Sequence, residues 1–332
     1  MDCINVENLC KTYRVPTKVE GRVNRLVNFF CPSYEIVNAL ENVSFSISAG
    51  EMLAYLGPNG AGKSTTVKIL TGVLTPASGR AQVNGIIPYE DRYESAYNYG
   101  VVFGQRSLLW FHLPVKQSFR LYGSIYELDE KEYEERLQFF QELFEIGHLL
   151  HVPVRKLSLG QRIRCEIVAA LLHCPKILFL DEPTIGLDVV MKNKIRTYLK
   201  EINEKENTTV FLSSHDMLDV EGICEKAIIL DKGQIVYQGT IQRLKKTYSR
   251  DVIVNFEYQS ITDQSGLDDA LSKGDILSHD TGSYKVRVDT TSVVLGDVVH
   301  SIFNTCRILD IRVEERTLES IINEIYTGGF SE

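Results

Sequence analysis

Apolar and polar positions divide the chain into blocks of different rhythm. The first block, residues 1–247, alternates short, wholly apolar runs with segments of helical period. Met52–Leu56 is one such run and ends in a glycine turn, which predicts a strand buried on both faces. Ile177–Leu180 and Thr209–Leu212 read the same way, and a helical pattern follows each. Strands of this kind alternating with helices predict an α/β fold, a mainly parallel sheet covered by helices. Leu113–Leu149 breaks that rhythm. It is rich in Glu, Lys, Gln, Phe and Leu, with Leu137, Phe140 and Phe144 on one helical face. This predicts a helical subdomain, about 106–158, inserted into the α/β core.

From Asp251 onward the period changes again. Tyr284–Asp289 alternates apolar and charged residues, as a half-buried strand does, and Ile308–Val313 is similar. Further strands are expected at Val252–Phe256 and Ile276–Leu277, and Leu318, Ile321, Ile322 and Ile325 form a helical stripe. The order βαββαβα predicts a small ferredoxin-like α+β domain over 251–332. The stretch from Lys245-Lys246 to Arg250 reads as the linker.

At 332 residues the length fits about two domains and is ample for a core without staples. The longest apolar run, Ile167–Leu172, stops at His173, far short of the roughly 20 residues that cross a bilayer. Asp2, Asn5, Glu7 and Asn8 interrupt any secretory h-region at the start. With 36 basic against 44 acidic residues the net charge is -8, which disfavours nucleic acid as a partner. The seven cysteines form no CxxC pair, a pattern of reduced thiols. His148 and His151, at i,i+3, either bracket a metal or sit in a polar loop before Pro153.

The run Gly57-Pro58-Asn59-Gly60-Ala61-Gly62-Lys63-Ser64-Thr65 matches GxxxxGK[ST]. It follows a predicted strand and precedes an apolar-periodic helix with Val67, Ile69 and Leu70. Glycines let consecutive backbone N–H groups and a helix N-terminus face an anion. In such a loop Lys63 neutralises the β- and γ-phosphates of a nucleotide, and the Ser64 hydroxyl holds Mg²⁺. The strand Ile177–Leu180 then delivers Asp181 and Glu182 to the ligand-binding edge of the sheet. Adjacent acids there are costly unless a cation faces them. Asp181 is the candidate for the metal shell and Glu182 for the group that polarises the attacking water. A strand end with solvated acids is the alternative.

Two further features follow: Leu157-Ser158-Leu159-Gly160-Gln161, which opens a helix (Ile163, Ile167, Ala170, Leu171), and His215 just past the strand ending at Leu212. With these, residues 3–245 resemble the ATP-binding subunit of an ATP-binding cassette (ABC) transporter. Walker A, the Q-loop glutamine Gln105, the signature, Walker B, the D-loop Ile185-Gly186-Leu187-Asp188 and the H-loop His215 stand in family order. Two positions depart from the common pattern. Leu159 replaces a signature glycine, and Ile185-Gly186 stands where Ser-Ala is common.

The resemblance implies a P-loop NTPase cassette that binds ATP and Mg²⁺ and works as a head-to-tail dimer, homodimeric or paired with another cassette. Gly57, Asn59, Gly60, Gly62, Lys63, Ser64 and Thr65 would then bind nucleotide, with Ser158, Gly160, Gln161 and Asp188 completing the site across the dimer. Glu182 is the implied base, His215 steadies the γ-phosphate, and Gln105 joins the metal shell with Ser64 and Asp181 and reports nucleotide state. Tyr13, at the end of the first expected strand, either stacks on adenine or packs on the core. An insertion at about 14–36 carries Arg14, Lys18, Arg22 and Arg25 with Val23, Leu26, Val27 and Phe30 at helical spacing. It is either docked on its own domain or laid on a membrane or partner. Leu108-Leu109-Trp110-Phe111 is either core of the helical subdomain or a groove for a membrane subunit.

The pattern most resembles ATPases paired with ABC-2-type membrane subunits. That likeness implies polytopic permease partners, a place on the inner, cytoplasmic face of the cell membrane, and export as the direction of transport. A mechanical or sensory ABC ATPase, or a soluble one acting on a macromolecule, is the rival class.

Overall fold

The apolar runs form the interior of a parallel sheet. In a computed structural model, residues 2–16, 34–103, 107–248 and 251–327 are described. Strands β1 (Asp2–Pro16) and β2 (Tyr34–Ser48) pair antiparallel, with Ile4 opposite Ile47 and Tyr13 opposite Val37. β3 (Met52–Leu56) leads through residues 57–62 into helix α1 (Lys63–Leu70). β4 (Ser78–Val83) returns to β1 and completes an antiparallel sheet of order β2–β1–β4. The sequence pattern had not revealed this sheet as a separate layer.

Next come α2 (Arg92–Ala96) and β5 (Tyr99–Phe103), then α3 (Val115–Ile125) and α4 (Glu130–Leu143). They are followed by α5 (Leu159–Leu171), β6 (Ile177–Asp181), α6 (Val189–Glu206), β7 (Thr209–Ser213) and α7 (Met217–Ile223). β8 (Lys226–Asp231) and β9 (Gln234–Thr240) close a six-stranded sheet of order β5–β6–β7–β3–β8–β9. The pairs β5–β6, β6–β7, β7–β3 and β3–β8 are parallel. The C-terminal ends of these strands therefore lie along one edge, where ligands bind in such sheets.

Tyr55 of β3 joins the two sheets. Its ring lies 5.6 Å from Phe45 of β2 and 5.0 Å from Phe211 of β7. Phe179 continues the cluster 5.5 Å beyond Phe211. Each such buried side chain contributes about 1.5–3 kcal/mol, which anchors the phosphate-loop strand in the cassette. Within 106–158, Leu137, Phe140 and Phe144 are buried on one face as their spacing predicts. The buried Arg164 of α5 donates to the Phe144 carbonyl at 2.9 Å, tying that region to the signature helix.

The chain divides into two compact units, Met1–Gly239 and Thr240–Glu332. The second contains α8 (Ile241–Tyr248), β10 (Asp251–Ile261), α9 (Gln264–Ser272), β11 (Asp275–Asp280), β12 (Ser283–Asp289), α10 (Leu295–Thr305), β13 (Cys306–Glu315) and α11 (Leu318–Thr327). Its antiparallel sheet has the order β11–β12–β10–β13, that of a ferredoxin-like domain. Val254, Phe256, Val286 and Val288 face Leu267, Val298 and Ile302 in its core.

One expectation needs correcting. Lys245 and Lys246 lie in the last turn of α8 rather than in a linker. Ile241 and Leu244, one turn apart, are both buried, and Arg316 donates to the Tyr248 carbonyl at 3.3 Å. Those contacts assign the helix to the second unit. The expected insertion also begins as strand, since Arg14–Pro16 pair with Tyr34–Ile36. Its basic, apolar-striped interior, 17–33, lies outside the described residues.

Candidate functional site

Between β3 and α1 the chain must turn sharply. Gly60 and Gly62 have φ of 86° and 110°, in the region L side chains avoid. At Gly62 a Cβ would also stand 2.5 Å from the Ala39 carbonyl oxygen. The turn exposes Asn59 and Gly60 at its tip and places Lys63 at the first position of α1. Lys63 is 8% exposed, and its Nζ donates to the carbonyls of Gly57 at 2.5 Å and Pro58 at 3.2 Å. Burial lowers its pKa, while the carboxylates of Glu182 and Asp181 act in the opposite direction.

The next residues reach across to β6. Ser64 Oγ donates to Asp181 Oδ2 at 3.3 Å, and the Ser213 hydroxyl of β7 donates to the other oxygen of Asp181. Asp181 and Ser213 are register partners in adjacent parallel strands, which explains the meeting. Glu182 follows in the left-handed region, φ 55°, with its N–H donating to the Ser213 carbonyl at 2.9 Å. That unusual backbone aims the carboxylate at the loop after β7, where Oε2 lies 2.7 Å from His215 Nδ1. His215 itself is largely exposed, so the pair opens to solvent.

Tyr13 arrives from β1. Its hydroxyl lies 3.5 Å from Thr65 Oγ1, and Lys11 Nζ sits 5.6 Å from its ring centroid. Tyr13, Lys63, Ser64, Thr65, Asp181, Glu182 and His215 thus gather along one edge of the sheets.

Ser158, Gly160 and Gln161 lie elsewhere. Ser158 is the N-cap of α5 and forms a reciprocal capping box with Gln161: its Oγ accepts from Gln161 N at 3.3 Å, and Gln161 Oε1 accepts from Ser158 N at 2.9 Å. A Cβ on Gly160 would stand 2.8 Å from Met191 Cγ, so this turn lies against the start of α6. Asp188 caps α6 through Met191 N at 2.9 Å. Among the described residues no hydrogen bond joins Ser158 to the phosphate loop. Gln105 lies outside the described residues. His148 and His151 are both exposed, one in the turn Gly147–Leu149 and the other just after it.

The family model described as "ABC transporter" matches residues 40–185. The ABC transporter ATP-binding protein NatA of Bacillus subtilis is 30% identical over 226 residues, covering 68% of this chain and 91% of that protein. The chain belongs to the ABC transporter family of ATP-binding proteins. The ABC ATP-binding protein also matches the linearmycin resistance ATP-binding protein LnrL of Bacillus subtilis, 28% identical over 289 residues, covering 85% of this chain and 91% of LnrL. That alignment is longer than the 239 residues of the first unit. Among solved structures, the dimeric bacterial ABC transporter cassette MJ0796 is similar at 27% identity and a TM-score of 0.59, covering 72% of this chain and 98% of that one.

The two departures from the common cassette pattern touch each other in this ABC protein. A Cβ on Gly186 would lie 3.0 Å from Leu159 Cδ2, so a small D-loop residue receives the larger signature residue. Of the Leu108–Phe111 cluster, Leu109 is buried while Trp110 and Phe111 are exposed, at 38% and 52%. No helix among the described residues is long and apolar enough to cross a membrane.

Sequence reasoning missed Ser213, which holds Asp181, and Thr184, Asp219 and Arg196, which bond to one another. Single hydroxyl, carboxylate and guanidinium groups outside a recognised motif carry no local pattern that marks them. The oxygen set of Ser64 and Asp181 suits Mg²⁺, which takes few protein ligands and keeps phosphate and water oxygens.

Proposed function

We propose that this chain hydrolyses ATP with Mg²⁺ to drive an exporter whose membrane-spanning part is a separate pair of polytopic subunits of ABC-2 type. The observation that carries the hydrolytic reading is the Glu182–His215 pair, 2.7 Å apart, at the sheet edge that also holds Lys63.

In this reading Lys63 exchanges its loop carbonyls for the β- and γ-phosphate oxygens. Gly57, Asn59, Gly60, Gly62 and Thr65 frame the phosphates, and Tyr13 stacks on adenine. Ser64 and Asp181, with Gln105, would hold Mg²⁺, which when bound would supply positive charge to offset that of the phosphates. Water attacks the γ-phosphorus in line while Glu182 takes its proton, the bond to the β–γ bridging oxygen breaks, and ADP and phosphate leave. His215 orients Glu182 and steadies the γ-phosphate. Ser158, Gly160, Gln161 and Asp188 of a second cassette, identical or related, complete the site. The dimeric cassette MJ0796 supports that arrangement.

Export is supported by LnrL, named for resistance and aligned beyond the cassette. The chain then works at the cytoplasmic face of the membrane, held there by its permease partners and with no role for nucleic acid.

Glu182→Gln tests the reading. Phosphate release should fall by about 10²–10⁴ while ATP is still bound, and the variant with ATP and Mg²⁺ should sediment as a dimer. Wild-type turnover in this variant would overturn the assignment of the base.

A further inference from the structure

Asp219 is 0% exposed, and the hydrolytic steps above do not use it. It lies in the first turn of α7, four residues after His215. Its Oδ1 accepts from Arg196 Nε at 2.8 Å and from Nη2 at 2.5 Å, and its Oδ2 accepts from the buried Thr184 hydroxyl. A buried carboxylate persists only when paired and fully hydrogen-bonded, and this one has three donors. Arg196 is held in turn by Asn193 Oδ1 at 2.8 Å.

The three residues come from three segments that carry the proposed chemistry. Thr184 stands two residues after Glu182, Asp219 follows His215, and Arg196 belongs to the helix that Asp188 opens. A second rung runs parallel to the first, with Lys192 Nζ 2.5 Å from Asp216 Oδ2. Lys192 and Arg196 are one turn apart on α6, and Asp216 and Asp219 one turn apart at α7, so the helices are clamped at two points. Gly222 of α7 makes room for the clamp, since a Cβ there would stand 2.8 Å from Arg196 Cδ. The left-handed backbone of Glu182, φ 55°, costs free energy and persists only where its surroundings over-determine it.

We propose that Asp219 is a positioning residue for ATP hydrolysis, which with Thr184 and Arg196 locks the turn of Glu182, the loop of His215 and the D-loop helix into one rigid unit. This rests on the hydrolytic reading of Glu182 and His215. Among the described residues no hydrogen bond or ion pair joins the network to Lys63, Thr65 or Tyr13, so it governs the chemical step and leaves nucleotide affinity alone.

The test compares the full chain with Thr184→Val, Thr184→Ser and Asp219→Asn, and with Glu182→Gln as reference. Thr184→Val has nearly the shape of threonine and lacks only the hydroxyl. It and Asp219→Asn should lower kcat by about 10-fold or more, because misplacing a reacting group by 1 Å costs up to about 10²-fold. KM and the affinity for a fluorescent ATP analogue should stay within about twofold, the split expected when only transition-state stabilisation is lost. Thr184→Ser, which restores the donor, should keep wild-type kcat.

Wild-type kcat in Thr184→Val overturns the proposal, as does a loss shared equally by Thr184→Ser or by nucleotide affinity. A second readout needs no turnover. The His215 ring resonance, assigned by its loss in His215→Ala, should move in Thr184→Val and not in Thr184→Ser; an unmoved resonance overturns the positioning role. A wild-type chain no faster than Glu182→Gln counts against the hydrolytic reading alone, and the resonance then decides the Asp219 network separately.

Discussion

Gly62 shows how tightly a single residue can be specified. Its φ of 110° and the Ala39 carbonyl 2.5 Å from any Cβ leave no space for a side chain. An L-residue held in the left-handed region costs roughly 1–2 kcal/mol before any clash is counted. Gly62→Ala should therefore lower the melting temperature and abolish ATP binding, because the loop must open to accept the methyl group. Titration with a fluorescent ATP analogue checks this, and wild-type affinity would show that the turn is not constrained as described. Lys63 and Ser64 were legible for the same local reason: loop and helix start are contiguous, so residue spacing encodes their geometry. Ser213 was not, because its hydroxyl reaches Asp181 only through the pairing of β6 with β7.

At the scale of elements, the signature helix α5 combines both kinds of information. Its capping box is written in Ser158 and Gln161, three residues apart. Past its other end lies His173, which in the sequence merely interrupts an apolar run. The structure half-buries its ring, stacked on Tyr126 at 3.7 Å with one nitrogen 3.1 Å from the Tyr99 carbonyl. Desolvation pushes its pKa down to about 4 from the usual 6.5. The imidazole is thus neutral in the fold, whereas the unfolded chain takes up a proton below the usual value. The associated stability is fully present above pH 6.5 and is lost as pH falls toward about 4, by roughly 3 kcal/mol in all. His173→Phe keeps a ring on Tyr126 and removes the titration. Its melting temperature should fall less between about pH 7 and pH 5 than that of the wild type. Parallel losses in the two proteins would place the acid sensitivity elsewhere.

At the scale of the whole molecule, the chain pairs a nucleotide cassette with a ferredoxin-like unit, and the cassette exposes apolar groups at several places. Trp110 and Phe111 follow the Q-loop; Ile185 lies in the D-loop, with Val189 just after it and Leu159 of the signature against it. Isolated apolar residues need no explanation, but clusters of them suit subunit contacts. Full-length tagged chain recovered from detergent-solubilised membranes should bring with it a polytopic protein, and Trp110→Ala with Phe111→Ala should weaken that recovery while ATP binding persists. Recovery of ribosomes or DNA in place of a membrane protein would overturn the transport reading.

The sequence by itself determined whatever depends on spacing along the chain. That covers the phosphate loop, the helix caps, the buried strands, and the alternation that lays out the second unit as βαββαβα. Contiguous backbone and short-range side-chain geometry suffice for all of these. The tertiary structure alone decided the strand order β5–β6–β7–β3–β8–β9 and the separate antiparallel layer β2–β1–β4. It also decided the meetings that depend on them: Ser213 on Asp181, Glu182 on His215, and Thr184 with Asp219, 35 residues away. The physical reason is that parallel strands are joined by long crossovers, so the neighbour of a strand end is chosen by packing of whole layers and not by any period in the sequence.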